Sequence, residues 1–300
     1  MGSDLSIQVR FYRLSEELQP YFTALYATTV ECTAGERVTD CLHPEWAALR
    51  FTEGPLPLAR IGVGAMERQW PFVANGPTSK AIQFGVTRSR VWGLGLQPAG
   101  WSKFVGRPAN SLRDRTVDGS THEAFALFTP ILDIVQSARG DADGIANGIN
   151  EFLMRHADRP VPYEDQILAC QSALRDPDIA NVAELEERLD IGERSLQRLC
   201  GRYFGFPPKL LLRRQRFLRS LAQFMSDPTP TWIKALDGQY YDQAQFVRDF
   251  RAFMGMTPSE YADAPHPILE KVIAQRMADQ GAAPQTDLPT VLRYTVDGGE

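Results

Sequence analysis

The segment Leu196–Pro208, LQRLCGRYFGFPP, recurs at a shift of 50 residues as Phe246–Pro258, FVRDFRAFMGMTP. Arg198 overlies Arg248, Gly205 overlies Gly255 and Pro208 overlies Pro258. The apolar positions coincide as well, as Leu196/Phe246, Cys200/Phe250, Tyr203/Phe253 and Phe204/Met254. Apolar side chains three and four apart define a helix with one buried face. The glycine suits the left-handed conformation that closes a helix, and the proline after it prevents continuation. Each copy is therefore a short helix with an abrupt stop. Upstream, VAELEERL places Val182, Leu185 and Leu189 on one side of a short helix, and DIG turns the chain into a second helix near Glu193. In the second copy TWIKALDG and QYY take those places, and Asp242 stands where a helix N-cap is needed. The pattern predicts a helix-turn-helix written twice.

Side chains placed at about 100° per residue divide each second helix into two faces. In the first copy Leu196, Leu199, Cys200 and Tyr203 form the buried back, while Arg194 and Arg198 point away from it, flanked by Gln197 and Arg202. In the second, Phe246, Phe250 and Phe253 are the back and Ala244, Arg248 and Arg251 face out, with Gln245 at the margin. An apolar back with an Arg- and Gln-bearing front is the division a recognition helix needs, because those side chains hydrogen-bond guanine and adenine edges in the major groove.

Charge agrees with this reading locally. The whole chain carries a net charge of −5, which argues against a uniformly basic coat. Between Gly192 and Arg219, however, eight basic residues face one acid, Glu193. Between the two units KLLLRRQRFLRSLAQFMSD predicts a linker helix from Lys209 to about Met225, roughly 25 Å long. Recognition helices at its two ends would suit successive major grooves, about 34 Å apart. Its apolar stripe is Leu211, Leu218, Leu221 and Phe224, and its arginines 213, 214, 216 and 219 are expected to track phosphates where they face DNA.

SLQRLCGRYFGFPP, the basic linker and YYDQAQFVRDFRAFMGMTPSEY together resemble the double helix-turn-helix domain of AraC/XylS-type bacterial transcription regulators. The resemblance runs from Val182 to Tyr261, with Gly192 where the family commonly has a serine cap and Cys200 where it commonly has an aromatic residue. It implies that Arg194, Gln197 and Arg198, then Gln243, Ala244, Gln245 and Arg248, face bases or the groove. VWGLGLQPAGWSKFVGRPANSLRDRTVD is similar to a segment of the N-terminal β domain of some members, where that domain senses a small molecule or supports dimerisation.

Up to about Val117 the chain is punctuated by Gly and Pro and carries short β-type runs: IQVRFYRL, ALRF, LARIGVGAM, KAIQFGVT and RVWGLGLQP. The expected class is α+β multidomain. It comprises an antiparallel β domain, sandwich or small barrel, over 1–120, a helical connector over 121–177, the all-α double helix-turn-helix domain over 178–263, and a tail with an amphipathic helix over 264–300. ADRPVPYED reads as a hinge, and a fragment from near Arg175 is expected to fold alone. Trp46, Trp70, Phe72, Phe84, Trp92 and Trp101 are candidates to line an effector pocket, against the alternative of ordinary β-domain core.

Enzymatic readings find no support. The histidines His43, His122, His156 and His266 have no ligand spacing, so no metal or other cofactor is expected. The four cysteines are scattered, which suits reduced thiols in a cytoplasmic protein rather than a disulfide frame or a zinc site. Neither a Gly-rich phosphate loop nor a nucleophile elbow is present. The expected protein is a transcription regulator, an activator, with promoter DNA, a small-molecule effector, a second copy of itself and RNA polymerase as partners, and with no membrane association. The alternative keeps the DNA-binding domain and makes the N-terminal domain a protein-interaction or dimerisation module without a ligand.

Overall fold

The computed structural model of the chain describes residues 5–138, 140–226, 240 and 242–278. Among the described residues ten strands come first: β1 (Ser6–Tyr12), β2 (Phe22–Glu31), β3 (Val38–Leu42), β4 (Ala47–Glu53), β5 (Leu58–Ile61), β6 (Glu67–Arg68), β7 (Phe72–Asn75), β8 (Ile82–Val86), β9 (Ser89–Leu96) and β10 (Thr116–Asp118). They build two antiparallel sheets, one of six strands in the order β1-β2-β9-β4-β7-β10 and one of four in the order β3-β8-β5-β6. The five β-type runs expected from sequence fall on β1, β4, β5, β8 and β9. The longest strand, β2, was not among them, because its residues FTALYATTVE are largely buried on both faces and do not alternate cleanly.

That double burial organises the domain. Along β4 the residues Ala47, Leu49 and Phe51 point to one side and join a core with Phe72, Trp92 and Leu94. Helices α2 (Thr129–Ser137) and α3 (Ala142–Met154) cover that side through Ile131, Val135, Ile145, Ile149 and Leu153. Ala48, Arg50 and Thr52 point the other way, towards the four-stranded sheet, and line a cavity of about 170 Å³. Glycine makes part of this face: a Cβ at Gly93 would run into the ring of Tyr26 on the neighbouring strand.

The connector does not behave as one piece. After α1 (Pro98–Gly100), α2 and α3 belong to the sheet core. Helix α4 (Glu164–Arg175) instead puts Ile167, Cys170, Ala173 and Leu174 into the core of the first helix-turn-helix unit. A fragment starting at Arg175 would lose those four side chains, so the expected boundary moves upstream to about residue 162. The expected hinge is pinned at both ends, by Lys103 Nζ donating to Ala157 O at 2.7 Å and by Tyr21 OH donating to Glu164.

Then follow α5 (Val182–Leu189), α6 (Glu193–Leu199), α7 (Pro208–Ser226), α8 (Gln243–Met254), α9 (Pro258–Asp263) and α10 (Pro267–Ala278). Asn181 and Glu184 form a capping box on α5, Thr257 and Glu260 another on α9. Asp242 caps α8, its carboxylate accepting from Gln245 N at 2.6 Å. Gly205 and Gly255 stop their helices with φ of 85° and 75°. TWIKALDG, the side chain of Phe224 and the chain end after Gln280 lie outside the described residues.

Candidate nucleic-acid interface and inter-sheet cavity

In the first unit Leu196, Leu199 and Cys200 are buried, and a π-type turn (Cys200–Phe204) carries the helix on to Gly205. Arg194, Gln197, Arg198 and Arg202 are all exposed. In the second, Phe246, Phe250, Phe253 and Met254 are buried. Gln243, Ala244, Arg248 and Arg251 are exposed, and Gln245 is half-buried. The two exposed faces thus carry the residues singled out from sequence. Phe217 of α7 is the pivot of the second aromatic back, with ring centroids 5.0 Å from Phe253 and 5.4 Å from Phe250.

The linker arginines do something else. Arg214 is 1% exposed and Arg219 is 7% exposed, so neither reaches a phosphate from where it stands. The Arg214 guanidinium lies 3.9 Å from the centre of the Trp46 ring and donates to Thr78 O at 2.9 Å and Glu45 O at 3.3 Å. Arg213 Nε donates to Asp249 Oδ1 at 2.6 Å, and Arg216 lies 3.6 Å from Asp249 Oδ2. Asp249 also accepts from Tyr240 OH at 3.0 Å, and burial, then the charge of Asp249, push that phenol's pKa up. Arg214 and Arg219 are thus not among the linker arginines that face outward: Arg214 fastens α7 to the β domain, while Arg213 and Arg216 fasten it to α8. A signal was present in the sequence, since residue 214 falls in the register of Leu211, Leu218 and Leu221.

The second unit is tied to the β domain through α10. Asp40 Oδ2 accepts from the backbone N–H of Ile268 and of Leu269, each at 2.8 Å, and so caps that helix from another domain. His266 Nδ1 lies 3.1 Å from Asp40 Oδ1, and its Nε2 lies 2.9 Å from Tyr261 O. Both partners only accept, so the ring donates twice and is an imidazolium. The hydrogen bond to Asp40, then that to Cys41, raise its pKa to about 10. Tyr261 stacks on His266 at 4.2 Å, and its hydroxyl is 2.9 Å from His43 Nε2. Ala81 N donates to Phe253 O at 2.7 Å, at the end of α8. Asp40, Cys41 and His266 bring three potential metal donors within 4.8 Å, which no sequence spacing could show. Asp40 and both His266 nitrogens are already engaged, so the cluster works as a helix anchor.

The six aromatic candidates for a pocket do not share one. Phe84 lines the inter-sheet cavity. Phe72, Trp92 and Trp101 lie in the core under α2 and α3, Trp46 packs edge-on to Phe204 of the first unit, and Trp70 is 37% exposed. The cavity exists where β4, β2 and β9 present the small residues Ala48, Thr52, Ala24, Thr28 and Gly95.

Residues 185–264 match the family described as a helix-turn-helix domain, of the AraC type. This segment is an AraC-type DNA-binding domain. No curated protein matches the chain in sequence. Among solved structures, the chain is similar to ToxT from Vibrio cholerae O395, at 12% identity and a TM-score of 0.41 over 86% of this chain and 97% of that one. It is also similar to the same protein bound to (E)-4-(8-methylnaphthalen-1-yl)but-3-enoic acid, at 11% identity and 0.43 over 86% and 98%. A third similarity is to the AraC-like transcriptional activator CuxR, at 11% identity and 0.29 over 72% and 87%. With the AraC-type domain in place, the chain is a DNA-binding transcription regulator. Among the described residues no helix is long and apolar enough to cross a membrane.

Proposed function

We propose that this regulator binds promoter DNA by setting α6 and α8 into successive major grooves, and that a small molecule in the inter-sheet cavity adjusts its grip. The observation that supports the first part is the matched pair of exposed faces, Arg194, Gln197, Arg198 and Arg202 on one helix and Gln243, Ala244, Gln245, Arg248 and Arg251 on the other, each on a buried back. Arg198 and Arg248 read bases, and Arg202 and Arg251 serve the flanking backbone. The second part rests on α10, which leaves the second unit and contributes Ile268 and Val272 to the cavity wall. A ligand therefore touches an element continuous with α9 and α8. On this reading the regulator is a cytoplasmic activator that works as a homodimer beside RNA polymerase.

Footprinting with the purified full chain would supply an operator. Arg198→Ala and Arg248→Ala are each expected to weaken operator binding by about 1–3 kcal/mol with unchanged helical content. Fluorescence anisotropy at fixed salt checks this, and unchanged affinity in both variants would remove the reading. The alternative, a ligand-free dimerisation module, is favoured if cavity-filling substitutions leave folding, self-association and operator binding of the full chain unchanged and no added small molecule alters operator binding of the unsubstituted chain.

A further inference from the structure

Resting on the effector reading, the structure also constrains the effector's chemistry. Among the described residues, the only ones lining the cavity that carry full charge are Arg50 and Glu45. They neutralise each other: Arg50 Nη2 donates to both Glu45 oxygens, at 2.8 and 2.9 Å, and Nη1 donates to Asn75 Oδ1 at 2.9 Å. Burial opposes the Arg50 charge, but Glu45 and Tyr26 together more than offset it and hold the pKa above its ordinary value. The cavity thus presents a closed ion pair, with no surplus cation for a carboxylate and no surplus anion for an ammonium group. A charged ligand would lose its hydration without compensation.

Two other polar atoms, on residues that line this space, have no partner among the described residues, Thr52 Oγ1 and Gln69 Oε1. Both residues are more than nine-tenths buried. The orientation of the Gln69 amide is settled by its other end: Nε2 donates to Glu67 O at 2.8 Å and Ala59 O at 3.3 Å, and carbonyls can only accept. Gln69 Oε1 is therefore a buried acceptor that needs an O–H or N–H donor. Thr52 Oγ1 can accept from or donate to the same group. Most of the remaining wall is apolar, from Ile82, Phe84, Val86 and Val91 to Ile268 and Val272 of α10, with Thr23, Tyr26, Thr28 and Thr116 as its other polar members. Its volume of about 170 Å³ suits one substituted ring, since a cavity of about 150 Å³ accepts benzene.

We infer that the cavity binds a neutral, ring-sized apolar molecule carrying one hydroxyl or N–H donor, such as a phenol, with the donor on Gln69 Oε1. The test is calorimetry on the full chain with 4-ethylphenol, its methyl ether and 4-methylbenzoate. The phenol is expected to bind about tenfold or more tightly than the ether, the benefit of meeting a buried acceptor that the ether leaves unpaired. The benzoate is expected not to bind at millimolar concentration. Gln69→Leu should bring the phenol down to the ether's affinity without weakening the ether. Thr52→Val, which keeps the side chain's shape, should narrow the same gap if Gln69→Leu does not fold. Ala48→Leu should abolish binding of both.

A benzoate that binds as tightly as the phenol, an ether equal to the phenol, phenol binding that survives Ala48→Leu, or no binding by either neutral probe would each overturn the inference. A parallel operator titration separates this from the effector reading. Discriminating phenol binding that leaves operator affinity unchanged removes the effector role and keeps the ligand class. Benzoate binding that shifts operator affinity does the reverse.

Discussion

The two helix-turn-helix units descend from matching stretches of sequence, yet they are held by different means. The first has Cys200 at its centre and borrows a whole helix, α4, to fill the space; Cys170 of that helix meets Cys200, and this hydrogen bond, then burial, raise its thiol pKa. The second has Phe250 at the matching position and closes on its own aromatic residues and those of α7. The first docks on the β domain mainly through buried packing, Trp46 against Phe204 and Arg214, to which Arg214 adds two hydrogen bonds to carbonyls. The second docks through hydrogen bonds and an ion pair around α10 and the end of α8. Polar anchors can be exchanged for water more readily than packed rings, so the second unit is the one suited to respond to a signal.

The sharpest way to break this contrast is at the matched centre. Phe250→Ala should destabilise the second unit by about 3–5 kcal/mol, by removing a ring from a packed aromatic cluster. Cys200→Ala should cost only about 1 kcal/mol in the first, because α4 supplies most of the surrounding contact. Hydrogen exchange resolved by segment would read both; equal losses in the two units would mean that their cores do not differ as described.

The closing glycines give a smaller contrast. Both have positive φ, so alanine at either costs about 1–2 kcal/mol of backbone strain. A Cβ at Gly205 would also stand 2.9 Å from Pro77 Cγ, whereas one at Gly255 meets nothing within 4 Å. Gly205→Ala should therefore lose roughly 1–3 kcal/mol more than Gly255→Ala in urea denaturation. A pair of equal values would show that Pro77 yields.

The last contrast is in the anchor of α10 and depends on pH. The His266 pKa is raised by folding, so its contribution is complete below the unfolded value of about 6.5 and is lost as pH rises to about 10. Exchange protection of α10, corrected for intrinsic rates, should fall over that interval while that of α5 holds. His266→Asn should remove the dependence; an unchanged profile in that variant would place the titration elsewhere.

Much of the geometry of the two helix-turn-helix units was legible because helices follow local rules. The apolar period of Leu196, Cys200 and Tyr203 and of Phe246, Phe250 and Phe253 placed their backs, and Gly205, Gly255 and Asp242 marked their ends. The β domain was read less completely, since β2 is covered on both sides and hides its alternation. Trp92 and Phe72 looked like pocket walls because sequence alone does not say which face of a strand meets a helix layer and which meets a second sheet.

By itself, then, the sequence determined what depends on near neighbours: two short helices with apolar backs and basic fronts, where they stop, and the linker between them. Tertiary structure decided what depends on residues far apart in the chain. Arg214 became an anchor only because Trp46 and the carbonyls of Glu45 and Thr78 wait for it, and His266 a cation only because Asp40 lies beside it. Burial and a partner set the role of a charged side chain, and neither is written within one helical turn of it.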